Sequence, residues 1–265
     1  MSNKFISETE YYLSNKYLKD GYVIVDIKNF ESLKWIKHFY LKFIKKYFKK
    51  NFTNIDIFND FHKFIKIKEL NKFRLRLIQD INKNKDFRKE YFNVTLPFIN
   101  DIVGNELVMQ NRVNLSIQLP NDKSSLLDVH ADTWSGDSPF EAVAWLPLVD
   151  CYKTKSMFIL PARKYKRIAK IFQSPNFKNS SELFPKIKND VTWLKINYGQ
   201  VLIFNQCLPH GNLTNKEKDT RWSMNCRFKG IFTPYGDKKL GEFFEPISLK
   251  AASKFAMKYK LPKIK

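Results

Sequence analysis

Cysteine, histidine and acidic residues are all scarce in this chain, and each scarcity removes a class of protein. Three cysteines, Cys151, Cys207 and Cys226, are too few and too irregularly spaced for a disulfide framework or a cysteine-rich zinc site. A reducing cytoplasm is the expected setting. No run of about 18 apolar residues occurs, and the opening Met1 to Glu8 lacks the apolar core of a secretion signal, so neither a membrane-spanning helix nor an export leader is expected. No internal repeat or low-complexity linker divides the chain. Acids number 26 against 47 lysines and arginines, a formal net charge of +21. A basic face of that kind draws nucleic acid, anionic membrane or a phosphorylated substrate. The lysines run through every segment, so the charge reads first as a diffuse bias and second as an anion-binding surface.

What is present points to one large core: 265 residues, 43% of them hydrophobic, form a single domain with helical additions. Gly21 to Ile27 reads as a strand, and Trp35 to Lys50, Phe58 to Ile81 and Phe87 to Ile102 carry helical spacing, the last broken near Pro97. Residues 1–104 are therefore expected to be a mainly helical layer. From Leu107 the pattern changes to short runs of period two. Arg112, Asn114, Ser116 and Gln118 alternate with Val113, Leu115, Ile117 and Leu119; Arg221, Ser223, Asn225 and Arg227 alternate with Trp222, Met224, Cys226 and Phe228. Glu141 to Val149, Met157 to Leu160 and Val201 to Gln206 are further strands, Arg163 to Asn189 a helical or irregular insert, and Leu240 to Tyr259 a closing helix. The expected class is α+β: an antiparallel barrel or jelly roll over 105–235 packed on helices, with 236–265 as an extension. Two polar strand faces suit the lining of a wet barrel mouth.

Four histidines allow each to be weighed. His38 and His62 sit in basic helices with no ligand-spaced partner and read as structural. His130 and Asp132, in Asp128-Val-His-Ala-Asp-Thr-Trp134, are separated by one residue at the end of an apolar run, where a bend turns both side chains one way. His210 ends a second strand. Two imidazoles and a carboxylate on one side of a metal suit non-haem Fe(II), with positions left open for a bidentate co-substrate and O2. Arg221 and Ser223 share the polar face of the following strand, where a guanidinium and a hydroxyl can grip a carboxylate.

His130-x-Asp132, His210 and Arg221-x-Ser223 resemble the signature of the Fe(II)- and 2-oxoglutarate-dependent oxygenases with a double-stranded β-helix, a cupin-like jelly roll. The order and spacing resemble the phytanoyl-CoA hydroxylase branch. His130 to Glu141 and Trp145 to Met157 are similar to oxygenases found sporadically in bacterial carbohydrate-biosynthesis clusters. The resemblance spans about residues 107 to 230. It implies iron held by His130, Asp132 and His210, 2-oxoglutarate held by Arg221, decarboxylation to succinate, and hydroxylation of a small molecule such as a sugar, nucleotide sugar or cell-surface carbohydrate precursor. Asp132 argues against the halogenating variants, while desaturation and epimerisation stay open. Gln118, Asn114, Thr154 and Ser156 are further co-substrate contacts to look for; Trp134, Asp137, Glu141 and Arg227 are substrate contacts. Arg221 and Arg227 also resemble the paired arginines of nucleic-acid oxidative demethylases, a rival reading, and a non-catalytic barrel that binds ligands through its basic surface is a third.

Overall fold

The computed structural model describes residues 5–53, 56–173 and 182–262. Helix α1 (Glu8–Asp20) leads into strand β1 (Tyr22–Asp26), followed by α2 (Phe30–Phe48), α3 (Ile67–Lys83), α4 (Phe87–Thr95) and α5 (Phe98–Ile102). Strands β2 (Leu107–Gln110), β3 (Asn114–Gln118), β4 (Ala142–Pro147) and β5 (Phe158–Ile159) come next, then α6 (Tyr165–Phe172) and α7 (Leu183–Ile187). After them run β6 (Thr192–Trp193), β7 (Gln200–Asn205), β8 (His210–Gly211), β9 (Arg221–Gly230), β10 (Phe244–Ser248) and α8 (Ala251–Ala256).

The helices form where apolar residues recur on one stripe. In α2 the Asn29 side chain caps the first turn by accepting from Ser32 N–H at 3.0 Å, and Leu33, Ile36, Tyr40 and Ile44 line the buried face. Leu70, Phe73, Leu77 and Ile81 do the same for α3. The helix expected over Phe58 to Ile81 is interrupted. Only a 3-10 turn, Phe61–Lys63, precedes α3. The Asn59 carbonyl accepts from Thr220 N–H at 2.8 Å, which withdraws it from any helical ladder.

Seven strands form an antiparallel sheet in the order β1-β7-β4-β9-β2-β10, with β3 also on β9. The long strand β9 carries β4 on one edge; the other edge is shared by β3 along its first half and β2 along its second. A small sheet, β6-β5-β8, accompanies it. β1 falls on the strand read over Gly21 to Ile27, and both it and β10 join the sheet from outside the 105–235 span expected for the barrel. Leu240 to Tyr259 is not a helix: Phe244 is buried, β10 pairs with β2, and α8 covers only Ala251–Ala256. The strand covers an edge of β2 that would otherwise present unpaired backbone groups.

The alternation of β9 divides the molecule. Its apolar residues face the helices, where fully buried Trp222 meets the rings of Tyr40, Phe58, Phe61 and Phe73 at centroid distances of 6.0, 5.5, 4.8 and 6.1 Å. Its polar residues face away from the helices. Among the described residues, no helix is long and apolar enough to cross a membrane.

Candidate metal and co-substrate site

His130 and His210 face each other across an antiparallel bridge. His130 N–H donates to His210 O at 3.0 Å, and His210 N–H donates to His130 O at 2.8 Å. Residues paired this way project to the same side, and the ring centroids are 4.3 Å apart. After His130 the chain bends into a 3-10 turn, Asp132–Ser135, held by Asp132 N–H on Gln206 O at 3.1 Å. The bend brings Asp132 Oδ1 within 3.9 Å of His130 Nε2. Ligand atoms of His130, Asp132 and His210 all lie within 4.8 Å of one another.

Both imidazoles have their tautomer set by the backbone. His130 Nδ1 lies 2.7 Å from Asp128 O and His210 Nδ1 lies 2.9 Å from Leu208 O. A carbonyl only accepts, so Nδ1 carries the proton and Nε2 is left with a free lone pair. Burial, and secondarily His130, pushes the His210 pKa down to about 4, so its ring is neutral at pH 7. Two imidazole nitrogens beside a carboxylate fit a first-row divalent ion that keeps open positions.

Arg227 braces the carboxylate. Its Nη2 lies 3.0 Å from Asp132 Oδ1 and its Nη1 3.3 Å from Asp137 Oδ2, with the Phe243 ring 5.5 Å from the guanidinium. Burial raises the pKa of Asp137, opposed by Arg227 and Lys238.

Arg221 lines the same cavity, which measures about 220 Å³. It donates to Ser116 Oγ at 3.0 Å and to Ser156 O at 3.4 Å, while its Nε has no partner. The hydroxyls of Ser223 and Ser156 are likewise buried and unpaired. Burial lowers the Arg221 pKa to about 10, which leaves it charged at neutral pH. A buried cation flanked by unpaired polar atoms fits a carboxylate ligand, whose oxygens supply the missing acceptors.

The structure sorts the sequence candidates. His130, Asp132, His210, Arg221, Ser223, Asn114 and Arg227 line the one cavity. Gln118 does not: its amide donates to Leu213 O at 2.8 Å and anchors the loop after His210. Thr154 is held elsewhere, donating to Glu217 at 3.0 Å and accepting from Lys216 N–H at 2.9 Å. Glu141 folds inward to accept from Ser138 N–H at 3.2 Å and is 1% exposed. Trp134 is partly exposed, edge-on to Phe172 at 5.0 Å. Ser116 and Asn225 also line the cavity. They share the polar parity of Asn114 and Ser223, which is the signal that identifies them. Phe204 and Met157, further wall residues, carry no such mark.

No protein-family model matches the chain, and no curated protein matches its sequence. Solved structures match its fold. The non-heme monooxygenase ThoJ in complex with nickel is 13% identical with a TM-score of 0.53, covering 90% of this chain and 84% of its own. AviO1 from Streptomyces viridochromogenes is 12% identical with a TM-score of 0.52, covering 87% of this chain and 99% of its own. SnoK, a non-heme alpha-ketoglutarate-dependent carbocyclase from nogalamycin biosynthesis, is 14% identical with a TM-score of 0.54, covering 92% and 97%. The chain has the mixed helical and antiparallel-sheet fold of these proteins.

Proposed function

We propose that the chain is an Fe(II)- and 2-oxoglutarate-dependent oxygenase of the phytanoyl-CoA hydroxylase type, one catalytic unit whose two sheets are the halves of a double-stranded β-helix. The carrying observation is that two backbone-oriented imidazoles and Asp132 share one cavity with a buried Arg221 whose Nε is unpaired. His130, Asp132 and His210 would hold iron, which supplies the O2 chemistry that side chains lack. Arg221 binds the distal carboxylate of 2-oxoglutarate and Ser223 adds a hydroxyl contact. With Nδ1 of each histidine held on a backbone carbonyl, Nε2 is the atom that each ring would present to the metal. Arg227 orients Asp132 through Nη2. Met157, Phe204 and Val143 form an apolar wall that limits water near the reacting end of the substrate.

Hydroxylation of a small molecule is the proposed outcome, with a sugar or nucleotide-linked sugar as substrate. The carbocyclase among the similar structures makes ring closure the nearest alternative outcome on this fold. Arg227 is engaged by Asp132 and Asp137, so it lends no support to a second anion-binding arginine of the demethylase kind.

The test is anaerobic titration with Fe(II) and 2-oxoglutarate, followed by succinate formation on admitting O2. Both ligands are expected to bind, and His130→Ala or Asp132→Ala to abolish iron binding and turnover. A wild-type protein that binds neither ligand would rule the reading out.

A further inference from the structure

The metal and Arg221 cavity, at about 220 Å³, falls below the roughly 300–1,000 Å³ that encloses a drug-sized ligand. With a five-carbon diacid against Arg221 it accommodates the reacting end of a second substrate and little more. Asn114 belongs to its wall and also to the wall of a larger concavity of about 800 Å³, lying between the second half of α3 and the β2–β3 junction. The two spaces therefore adjoin at one side chain.

The larger concavity is amide-rich. Gln79 of α3 lines it together with Gln110 and Asn111 at the end of β2. Gln110 is 4% exposed, yet its Oε1 has no partner, and Asn111 Oδ1 is also buried and unpaired. An unpaired amide oxygen accepts from a hydroxyl or N–H donor. Two cations, Lys83 and Arg112, line the same space; both are exposed, and neither has an ion pair among the described residues. Glu242 is the single carboxylate there. The ring of Phe243 lies at this wall and also beside Arg227 of the inner cavity.

We infer that this concavity binds the body of the second substrate, and that this body is a hydroxylated compound carrying an anionic group. The amides receive hydroxyls, Lys83 and Arg112 flank a phosphate or carboxylate, and the C–H to be oxidised passes Asn114 toward His130 and Asp132. The inference rests on the oxygenase reading for the direction of the substrate, though not for anion binding itself.

The experiment titrates metal-loaded protein, anaerobically and with 2-oxoglutarate present, with glucose 6-phosphate, glucuronate and glucose, read by calorimetry and by chemical-shift changes. At least one anion is expected to bind saturably, about tenfold or more tighter than glucose; the tighter of the two names the anionic group. Lys83→Gln with Arg112→Gln is expected to weaken that anion by about tenfold or more. The charge-matched pair Lys42→Gln and Lys46→Gln, on the face of α2, is expected to leave it within about twofold. No saturable anion binding, glucose binding as well as the anions, or equal loss in both charge pairs would overturn the inference. The affinity for 2-oxoglutarate, measured on the same samples, reports separately on the oxygenase reading: its absence sinks that reading, while anion capture by Lys83 and Arg112 is judged on its own titration.

Discussion

Arg221 keeps its charge in a fully enclosed position because Ser116 Oγ and Ser156 O take two of its nitrogens, while its Nε waits on a ligand. Arg221→Ala is therefore expected to raise the 2-oxoglutarate dissociation constant by about 100-fold or more, the loss of at least two charge-assisted hydrogen bonds. Iron affinity, measured separately, should change far less, and equal losses of both would reassign the residue. Lys229 shows a different consequence of burial. Its Nζ donates to Thr233 O at 2.8 Å and Gly230 O at 3.2 Å and lies 3.4 Å from the Tyr235 ring centroid. Burial pushes its pKa from 10.5 down to about 8. Between those values the unfolded chain binds more protons than the folded one, so this residue's contribution to stability rises with pH across the window. Buried Cys151 and Cys226, raised from 9.0 to about 12, oppose it above pH 9.0. The contribution is thus best measured by difference: the denaturant midpoint of wild type should rise relative to that of Lys229→Met as pH goes from about 8 to about 10.5. A constant gap would show that Lys229 is not titrating there.

Between β2 and β3 the chain is held by a helix rather than by another strand. Asn82 of α3 accepts from Val113 N–H at 2.9 Å and donates to Val113 O at 3.3 Å, so it substitutes for a missing ladder partner. Asn82→Ala leaves the amide and carbonyl of a fully buried residue unpaired, and equilibrium unfolding should register a loss of about 1–3 kcal/mol. A change below about 0.5 kcal/mol would mean that water replaces the side chain. Elements of this kind mark the boundary of what sequence reading reaches. Strands β3 and β9 are legible because polar and apolar residues alternate along them, and α2 and α3 because their stripes repeat. The strand β10 is not legible. Phe244 alone is deeply buried in it, Glu245 and Pro246 are exposed, and it exists as a strand because β2 presents an edge to it. The His130, Asp132 and His210 cluster is legible because histidine is rare in this chain and the His-x-Asp spacing is chemically distinctive. The positions of Gln118, Thr154 and Glu141 are not, because a short polar residue on the right strand face can serve a loop as readily as a cavity. Ser116 and Asn225 follow from parity, whereas Phe204 and Met157 look like any core residue.

At the scale of the whole molecule, the net charge of +21 makes the folded state repel itself. Salt shortens the reach of that repulsion from about 30 Å at 0.01 M to about 10 Å at 0.1 M. Melting temperature is expected to rise by a few degrees, on the order of 2–4 °C, over that range. A flat or falling profile would show that the ion pairs, such as Arg163 with Asp20 and Arg167 with Asp190, outweigh the excess. One core runs from Leu33 and Phe73 in the helices to Trp222 in the sheet, so this electrostatic cost bears on the chain as a unit. The pairing of His130 with His210 has a further consequence for how the gene can change. What relates the two imidazoles is parity along a ladder, not the length of chain between them. A single codon inserted immediately before either histidine turns that ring to the opposite face. The same codon inserted in the helical excursion between β5 and β6 lengthens a connection at little cost. An insertion scan should show sharp windows of lost metal binding at His130 to Asp132 and just before His210, and a tolerant interval in the connection between β5 and β6, so that connection is free to diverge in length while the ladder positions are not.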